Sequence, residues 1–290
     1  MITIKTPQEI EIMAEGGKIL AKIIKELEKN VKPGITTKEL DRLAESLISC
    51  PPKPCLSADL SAKALASAEA LAKAGAKADE IRCSFKGYLS KDGETVRPYP
   101  ACLCPSVNEE IVHAIPSARV LKNGDILKLD IGMFYQGFHS DMAITVPVGR
   151  HPPTTPVSFE AQRLIRVTKK ALKMGIKKAR IGNTFGDIGN TIQRYVESQG
   201  FNVVRELCGH GIGREIHEDP QILNYGTRHT GEEIKEGMVF CLEPMVTIGD
   251  WRIKKGKDSY SYETEDGSLS AHFEHMMTAT KEGPKILTLP

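Results

Sequence analysis

The 290-residue sequence has no apolar run that approaches the roughly 20 residues needed to cross a bilayer, so no membrane span is expected. Its first residues, MITIKTPQEIEIM, are broken by charges and do not read as a signal peptide. Basic runs interleaved with aromatics are missing and the net charge is only +2, so nothing in the composition points to nucleic acid. The seven cysteines contain no CxxC pair, which argues against the usual thiolate zinc sites. An odd count without a leader fits a reducing, cytoplasmic setting with mostly free thiols. The glycine-rich stretch at 208–213 carries neither a Walker lysine nor a dinucleotide fingerprint, so a phosphate cradle is not supported. With 40% hydrophobic and 26% charged residues, what remains is an ordinary globular chain, long enough for one large domain or two smaller ones.

Helices are the easiest elements to read. Thr6 is an N-cap with Pro7 at the first helical position and Glu9 at the third. Ile10, Met13, Ile19, Leu20, Ile23, Ile24 and Leu27 follow at mostly helical spacing, until Lys32-Pro33-Gly34 stops the helix. Thr36 or Thr37 caps a second helix with Leu40, Leu43, Leu47 and Ile48 inward. A second pair is expected at 158–178 and 184–200, the latter burying Phe185, Ile188, Ile192 and Val196. Strands are expected at 201–208, 238–246 and 271–280. Helical pairs thus precede strand-rich blocks twice, which suggests two similar α/β halves facing each other. Residues 50–83 differ. CPPKPC opens the segment, an Ala-rich run predicts a surface helix over 58–74, and Cys83 closes it. Cys50, Cys55 and Cys83 can bind a metal or form a disulfide, but no fourth ligand is evident. The segment is expected to be an insertion dispensable for chemistry.

The chemistry gathers around 128–141, KLDIGMFYQGFHSD, read as a hairpin. A two-residue turn at Tyr135 and Gln136 would set Asp130 directly across from Asp141, with a bulge at Gly137 as the alternative. A one-residue slip would send the two to opposite faces. Facing carboxylates must share a proton, meet a base or bind metal. His210 lies in CGHGIG, where flanking glycines allow close backbone approach and an exposed imidazole. Glu243 interrupts the apolar VFCLEPMV, a costly place for a carboxylate unless it is paired or metal-bound. Pro244 behind it argues for an edge or bulge. Glu274 repeats the pattern in HFEHMMTA. Singly, each residue has a plainer explanation, a hydrogen-bonded loop histidine or a glutamate facing solvent. Together, two Asp, two Glu and one His form an oxygen-rich set suited to two divalent ions of the manganese, iron or cobalt kind.

The motifs SVNEEIVHAIP, KLDIG…GFHSD, GHGIGREIHEDP, CLEPMV and HFEH, in this order over 1–49 and 84–290, resemble those of type I methionine aminopeptidases. The resemblance implies an α/β (α+β) pita-bread fold, two pseudo-symmetric halves around a dinuclear metal site, in one catalytic domain over 1–290 interrupted at about 50–83. It implies Asp130, Asp141, His210, Glu243 and Glu274 as ligands, with Asp141 and Glu274 bridging two cobalt, manganese or iron ions. His113 and His217 would contact the substrate near the scissile bond, and Glu243 would act as general base toward a metal-bridging water. Tyr88, Tyr99 and Cys104, with Phe85 and Tyr260, would line the methionine pocket. The implied reaction removes the N-terminal methionine of nascent polypeptides when the second residue is small. The implied partners are peptide N-termini and, transiently, the ribosome, for a monomer that binds neither nucleic acid nor membrane. Ile216 stands where an aromatic is common, His272 where Gln is common and Ala114 where Gly is frequent, and the loop at 89–98 is long; these departures bear on substrate preference. Xaa-Pro aminopeptidases and prolidases share the fold and ligand set but usually carry a large N-terminal domain. A non-catalytic metal-binding relative would have lost ligands, whereas all five are present.

Overall fold

The computed structural model describes residues 2–49, 81–89, 97–149 and 158–290. The expected helix at 58–74, the linker at His151, and residues 90–96 of the long loop lie outside the described residues. Helix α1 (Pro7–Asn30) starts at the expected capping box: the Thr6 N–H donates to Glu9 Oε2 at 2.8 Å and the Glu9 N–H returns to Thr6 Oγ1 at 3.3 Å. Helix α2 (Thr37–Ser49) is capped by Thr36, whose N–H donates to Glu39 at 2.8 Å. Thr37 instead donates its hydroxyl to the Ser117 carbonyl at 3.1 Å. The second pair, α3 (Phe159–Lys178) and α4 (Phe185–Ser198), begins at the caps Ser158 and Thr184.

Each helical pair covers its own strands. α1 and α2 bury Leu20, Ile23, Leu27 and Leu40 against a sheet of β1 (Ile81–Cys83), β2 (Leu103–Val107), β4 (Ile126–Tyr135) and β5 (Phe138–Pro147). α3 and α4 bury Leu164, Leu172, Ile188 and Ile192 against the strands of the second half. These are β7 (Cys208–Gly211), β8 (Glu218–Leu223), β9 (Val239–Leu242), β14 (His275–Thr280) and β15 (Gly283–Ile286) in one sheet. β6 (Asn202–Val203), β10 (Met245–Thr247) and β13 (Ser270–His272) form another. A small sheet of β3 (Glu110–Val112), β11 (Ile253–Lys255) and β12 (Tyr262–Thr264) lies at the rim.

Three strand expectations change. The strand expected at 201–208 is only the two-residue β6, followed by β7. Those at 238–246 and 271–280 are each cut in two, at Glu243-Pro244 and at Phe273-Glu274. Leu242 pairs with His275 before the cut and Met245 with His272 after it, so the register is continuous and Glu243 stands opposite Glu274. The ladder fails there because Pro244 has no N–H to donate and the Glu274 N–H leaves the pair for the Ala143 carbonyl, 2.9 Å away.

The central hairpin also differs in register. Tyr135 pairs with Phe138, so the turn residues are Gln136 and Gly137, both at positive φ (47° and 91°), and no bulge interrupts β4 and β5. This left-handed pair matches the twist of the flanking strands, which a turn at Tyr135 and Gln136 would not. Asp130 therefore pairs with Ala143 and Asp141 with Gly132. The two aspartates are diagonal rather than opposed, yet remain on one face because the shift is even.

The cysteines depart further. Cys83 is joined to Cys102, with Cα atoms 5.2 Å apart, and not to the segment it was expected to close. β1 and β2 lie end to end along β4, Cys83 opposite Met133 and Leu103 opposite Ile131, which brings Cys102 beside Cys83. Among the described residues Cys104, Cys208 and Cys241 are free thiols, while Cys50 and Cys55 lie outside them. β1 also places Ile81–Cys83, the end of the expected insertion, inside the central sheet.

Gly137→Ala forces a Cβ into the left-handed turn and is expected to cost about 1–2 kcal/mol in urea unfolding. An unchanged midpoint would contradict the assigned turn.

Candidate metal centre

All five residues expected to bind metal meet between the halves. Asp130 is on β4, Asp141 on β5 and His210 on β7; Glu243 and Glu274 occupy the two strand breaks. All are buried, at 2–9% exposure. Side-chain oxygens of Asp130, Asp141 and Glu274 lie within 4.8 Å of one another, and so do donor atoms of His210, Cys241 and Glu274. His210 Nε2 is 3.5 Å from Glu243 Oε1 and 4.0 Å from Glu274 Oε1.

His210 lies on a strand, not in a loop, and its imidazole is buried rather than exposed. Its glycines serve close backbone packing: a Cβ on Gly209 would strike the Cys241 carbonyl and one on Gly211 the Asp219 carbonyl. Nδ1 of His210 is 2.9 Å from the Gly211 carbonyl, which can only accept, so Nδ1 carries the proton and Nε2 presents a bare lone pair to the carboxylates.

The electrostatics ask for a cation. Burial pushes Asp130 up to about 7, with His272 opposing and Glu243 adding to the rise. Burial likewise pushes Glu243 to about 7 against the pull of His210. Asp141 and Glu274 stand well above the ordinary carboxylate range, through burial first and then repulsion from the neighbouring carboxylates. Asp141 Oδ1 and Glu274 Oε1 have no hydrogen-bond partner. Orphaned oxygens, a bare imidazole nitrogen and crowded carboxylates fit divalent ions with oxygen and nitrogen ligands.

A cleft of about 550 Å³ opens onto this cluster. His113 and His217 line it and are exposed, unlike His210. The His217 ring centroid is 4.5 Å from that of His210, and its Nδ1 is 2.7 Å from the Tyr88 hydroxyl. Phe85, Tyr88, Tyr99, Cys104 and Tyr260 line the same cleft. Tyr99 meets Phe85 and Tyr260 edge to face, at 6.4 and 5.9 Å between centroids, and packs with Cys104 in one apolar cluster. Ile216 is buried against Gly132 and is not among the lining residues, so its departure from the family pattern does not reshape the cleft wall directly.

Two residues at the cluster had no assigned part in the sequence reading. His272 Nε2 is 3.3 Å from Glu243 Oε2, though not aligned as a hydrogen bond, and burial pulls its pKa down to about 4, which keeps it neutral. Cys241 approaches His210 and Glu274. Both sit two residues before a glutamate, the strand spacing that shares a face, and that signal was available in the sequence.

Comparison with known proteins agrees with this geometry. The profile of metallopeptidase family M24 matches residues 56–281, starting inside the segment expected to be an insertion. Methionine aminopeptidase of Clostridium perfringens is 41% identical over 289 residues, covering 100% of this chain and 99% of its own. The crystal structures of methionine aminopeptidase from Rickettsia prowazekii and Thermotoga maritima superpose with TM-scores of 0.83 and 0.81, at 34% and 39% identity, each over the full length of both chains. Prolidase from Pyrococcus furiosus, 20% identical with a TM-score of 0.68 over 99% of this chain and 65% of its own, shares the fold alone.

Metal uptake must displace protons from carboxyls whose pKa values are raised. Affinity for Mn²⁺ should therefore fall as the pH drops through about 7, by about tenfold per unit for each proton displaced. Calorimetry near neutral pH in two buffers of different ionisation enthalpy should show net proton release, and its absence would contradict the assigned environment. With its pita-bread fold and its carboxylate-rich centre, the chain belongs to metallopeptidase family M24, among the methionine aminopeptidases.

Proposed function

We propose that the enzyme removes the N-terminal methionine from polypeptides whose second residue is small, using two divalent ions held by Asp130, Asp141, His210, Glu243 and Glu274. The observation that carries this reading is the buried carboxylate cluster with its bare His210 Nε2, opening directly onto an apolar pocket. Asp141 and Glu274 are the proposed bridging ligands, since each keeps an unpartnered oxygen. When bound, the ions polarise the scissile carbonyl and acidify water. Manganese, iron and cobalt all suit the ligand set, and availability decides among them.

The protein's own groups do the rest. Phe85, Tyr99, Cys104 and Tyr260 offer the methionine side chain an apolar wall, while Tyr88 stands between pocket and histidine. Glu243 is the proposed general base, placed to take a proton from water and pass it to the departing amine. The Tyr88 hydroxyl, 2.7 Å from Nδ1 of His217, orients that ring, and the proposed role of Nε2 as a donor toward the peptide requires the tautomer in which the hydroxyl donates to Nδ1. His113 supplies a second exposed donor from a left-handed backbone position, φ 61°, just after β3.

Peptide N-termini emerging during synthesis are the natural substrates of such a site, so we place the enzyme in the cytoplasm as a monomer acting near the ribosome. No helix among the described residues is long and apolar enough to cross a membrane. Residues 50–80, which lie outside the described residues, are proposed to be dispensable for chemistry, since no proposed ligand or substrate histidine lies there.

His113→Ala and His217→Ala should keep both metals but lower turnover about 10²–10³-fold, the scale of losing one oxyanion donor. Metal lost in step with activity would show that the histidine has been given the wrong role. Met-Ala-Ser should be cleaved far faster than Leu-Ala-Ser or an Xaa-Pro peptide, and comparable rates on all three would overturn the specificity.

A further inference from the structure

Lys128 lies inside the apolar run of β4 and is fully buried, the bulkiest such side chain in the described protein. Among the described residues no carboxylate forms an ion pair with it. Its Nζ donates to the Asn108 carbonyl at 2.7 Å, the Ser270 carbonyl at 3.1 Å and Ser270 Oγ at 3.3 Å. The Ser270 hydroxyl directs its own hydrogen toward the Asn108 and Glu110 carbonyls, at 3.1 and 3.2 Å, so it faces the lysine as an acceptor. Three acceptors thus meet the three hydrogens of an ammonium. Burial pulls this group's pKa down to about 7, with Glu110 and Glu109 opposing and Arg119 adding to the fall. An ammonium buried without a counter-ion is an expensive way to fill a core. What it holds gives the reason to keep it.

Lys128 and Asp130 share one face of β4. Asn108 forms the turn between β2 and β3, at φ 55°, and the chain leaving β3 carries His113. Ser270 opens β13, which ends at His272, two residues before Glu274 in the strand break. Opposite Lys128 on β5 stands Thr145, whose Oγ1 donates to the His272 carbonyl at 2.7 Å and accepts from the His272 N–H at 2.9 Å. Next along β5, the Ala143 carbonyl takes the Glu274 N–H. Residues 270, 272 and 274 are therefore gripped in sequence by Lys128, Thr145 and Ala143. Lys128 is the one grip that also reaches the turn below His113.

We propose that Lys128 is a positioning residue of the metal centre, an internal hydrogen-bonding clamp that fixes the Asp130-bearing hairpin of one half against the segment of the other that leads from β13 to Glu274. The inference rests on reading the carboxylate cluster as a metal centre. It concerns distances between ligands and not the titration of any group. A lysine that merely stabilised the fold would, once removed, lower the melting temperature and leave a folded variant with normal metal affinity.

The test uses the whole chain with Lys128→Met, which keeps length and loses the donors, and Lys128→Ala, which vacates an oxygen-lined space. Calorimetry reads Mn²⁺ affinity, and steady-state assays on Met-Ala-Ser read kcat and KM separately. Folded Lys128→Met should bind its weaker Mn²⁺ at least about tenfold less tightly, with kcat down in proportion and KM within about twofold. Methylammonium chloride should restore part of both losses in Lys128→Ala, and tetramethylammonium chloride, too bulky for the space, should not. Wild-type affinity in a folded variant, or equal effects of the two salts, would overturn the proposal. If neither lysine variant folds, Ser270→Ala, which removes one acceptor, should weaken Mn²⁺ binding about threefold, and unchanged affinity there overturns it. Wild-type protein that binds no Mn²⁺ would overturn the metal-centre reading itself and this inference with it. Normal wild-type binding with unchanged variants overturns this inference alone.

Discussion

Four carboxylates crowded into one buried space set the terms for the rest of this structure. Asp130, Asp141, Glu243 and Glu274 all lie at or below 9% exposure, and burial raises every one of their pKa values. A fold does not bring such groups together for stability, since each loses hydration and meets like charge. Holding them takes rigid elements on several sides. The β4–β5 hairpin holds the two aspartates, and two strands interrupted at the same register hold the two glutamates. Cross-links from Ala143, Thr145 and Lys128 fasten the strand carrying Glu274 to that hairpin. Burial also sorts the histidines. His210 is enclosed with Nε2 bare, while His113 and His217 are open to the cleft, which matches the proposed division between ligand and substrate contact.

Much of this was legible in the sequence, for local reasons. The cap at Thr6 is a short-range hydrogen-bond pattern, so the start of the first helix could be placed to the residue, while the apolar spacing placed the starts near Ser158 and Thr184 without showing that these residues cap them. The clustering of Glu243 and Glu274 followed from the cost of a carboxylate in an apolar run. The face shared by Asp130 and Asp141 survived an error in the turn because strand side chains alternate with period two, so an even shift preserves the side. The turn itself is set by the demand of a tight hairpin for positive φ, which Gln136 and Gly137 supply and the apolar alternation of the strands does not reveal.

What escaped the sequence depends on contacts between distant segments. The Cys83–Cys102 link needs β1 and β2 end to end along β4, and a three-residue β1 leaves no periodic trace. The strand breaks at Glu243 and Glu274 depend on where the Glu274 N–H finds its partner, at Ala143 in another element. In the sequence Lys128 is a single charge between Leu127 and Leu129. Its meaning appears only when Asn108 and Ser270 close over it. His272 read as a departure from a family pattern, whereas its distance to Glu243 makes it part of the centre's wall.

The central claim, that this cluster is built for two divalent ions, is tested most directly by anomalous diffraction from crystals grown with Mn²⁺ and measured on both sides of the manganese edge. The account predicts two anomalous peaks about 3.5–4 Å apart, with Asp141 and Glu274 between them and His210 Nε2 on one. A cluster with no anomalous density at saturating Mn²⁺, or with a peak that leaves Asp141 and Glu274 without a metal contact, would contradict it.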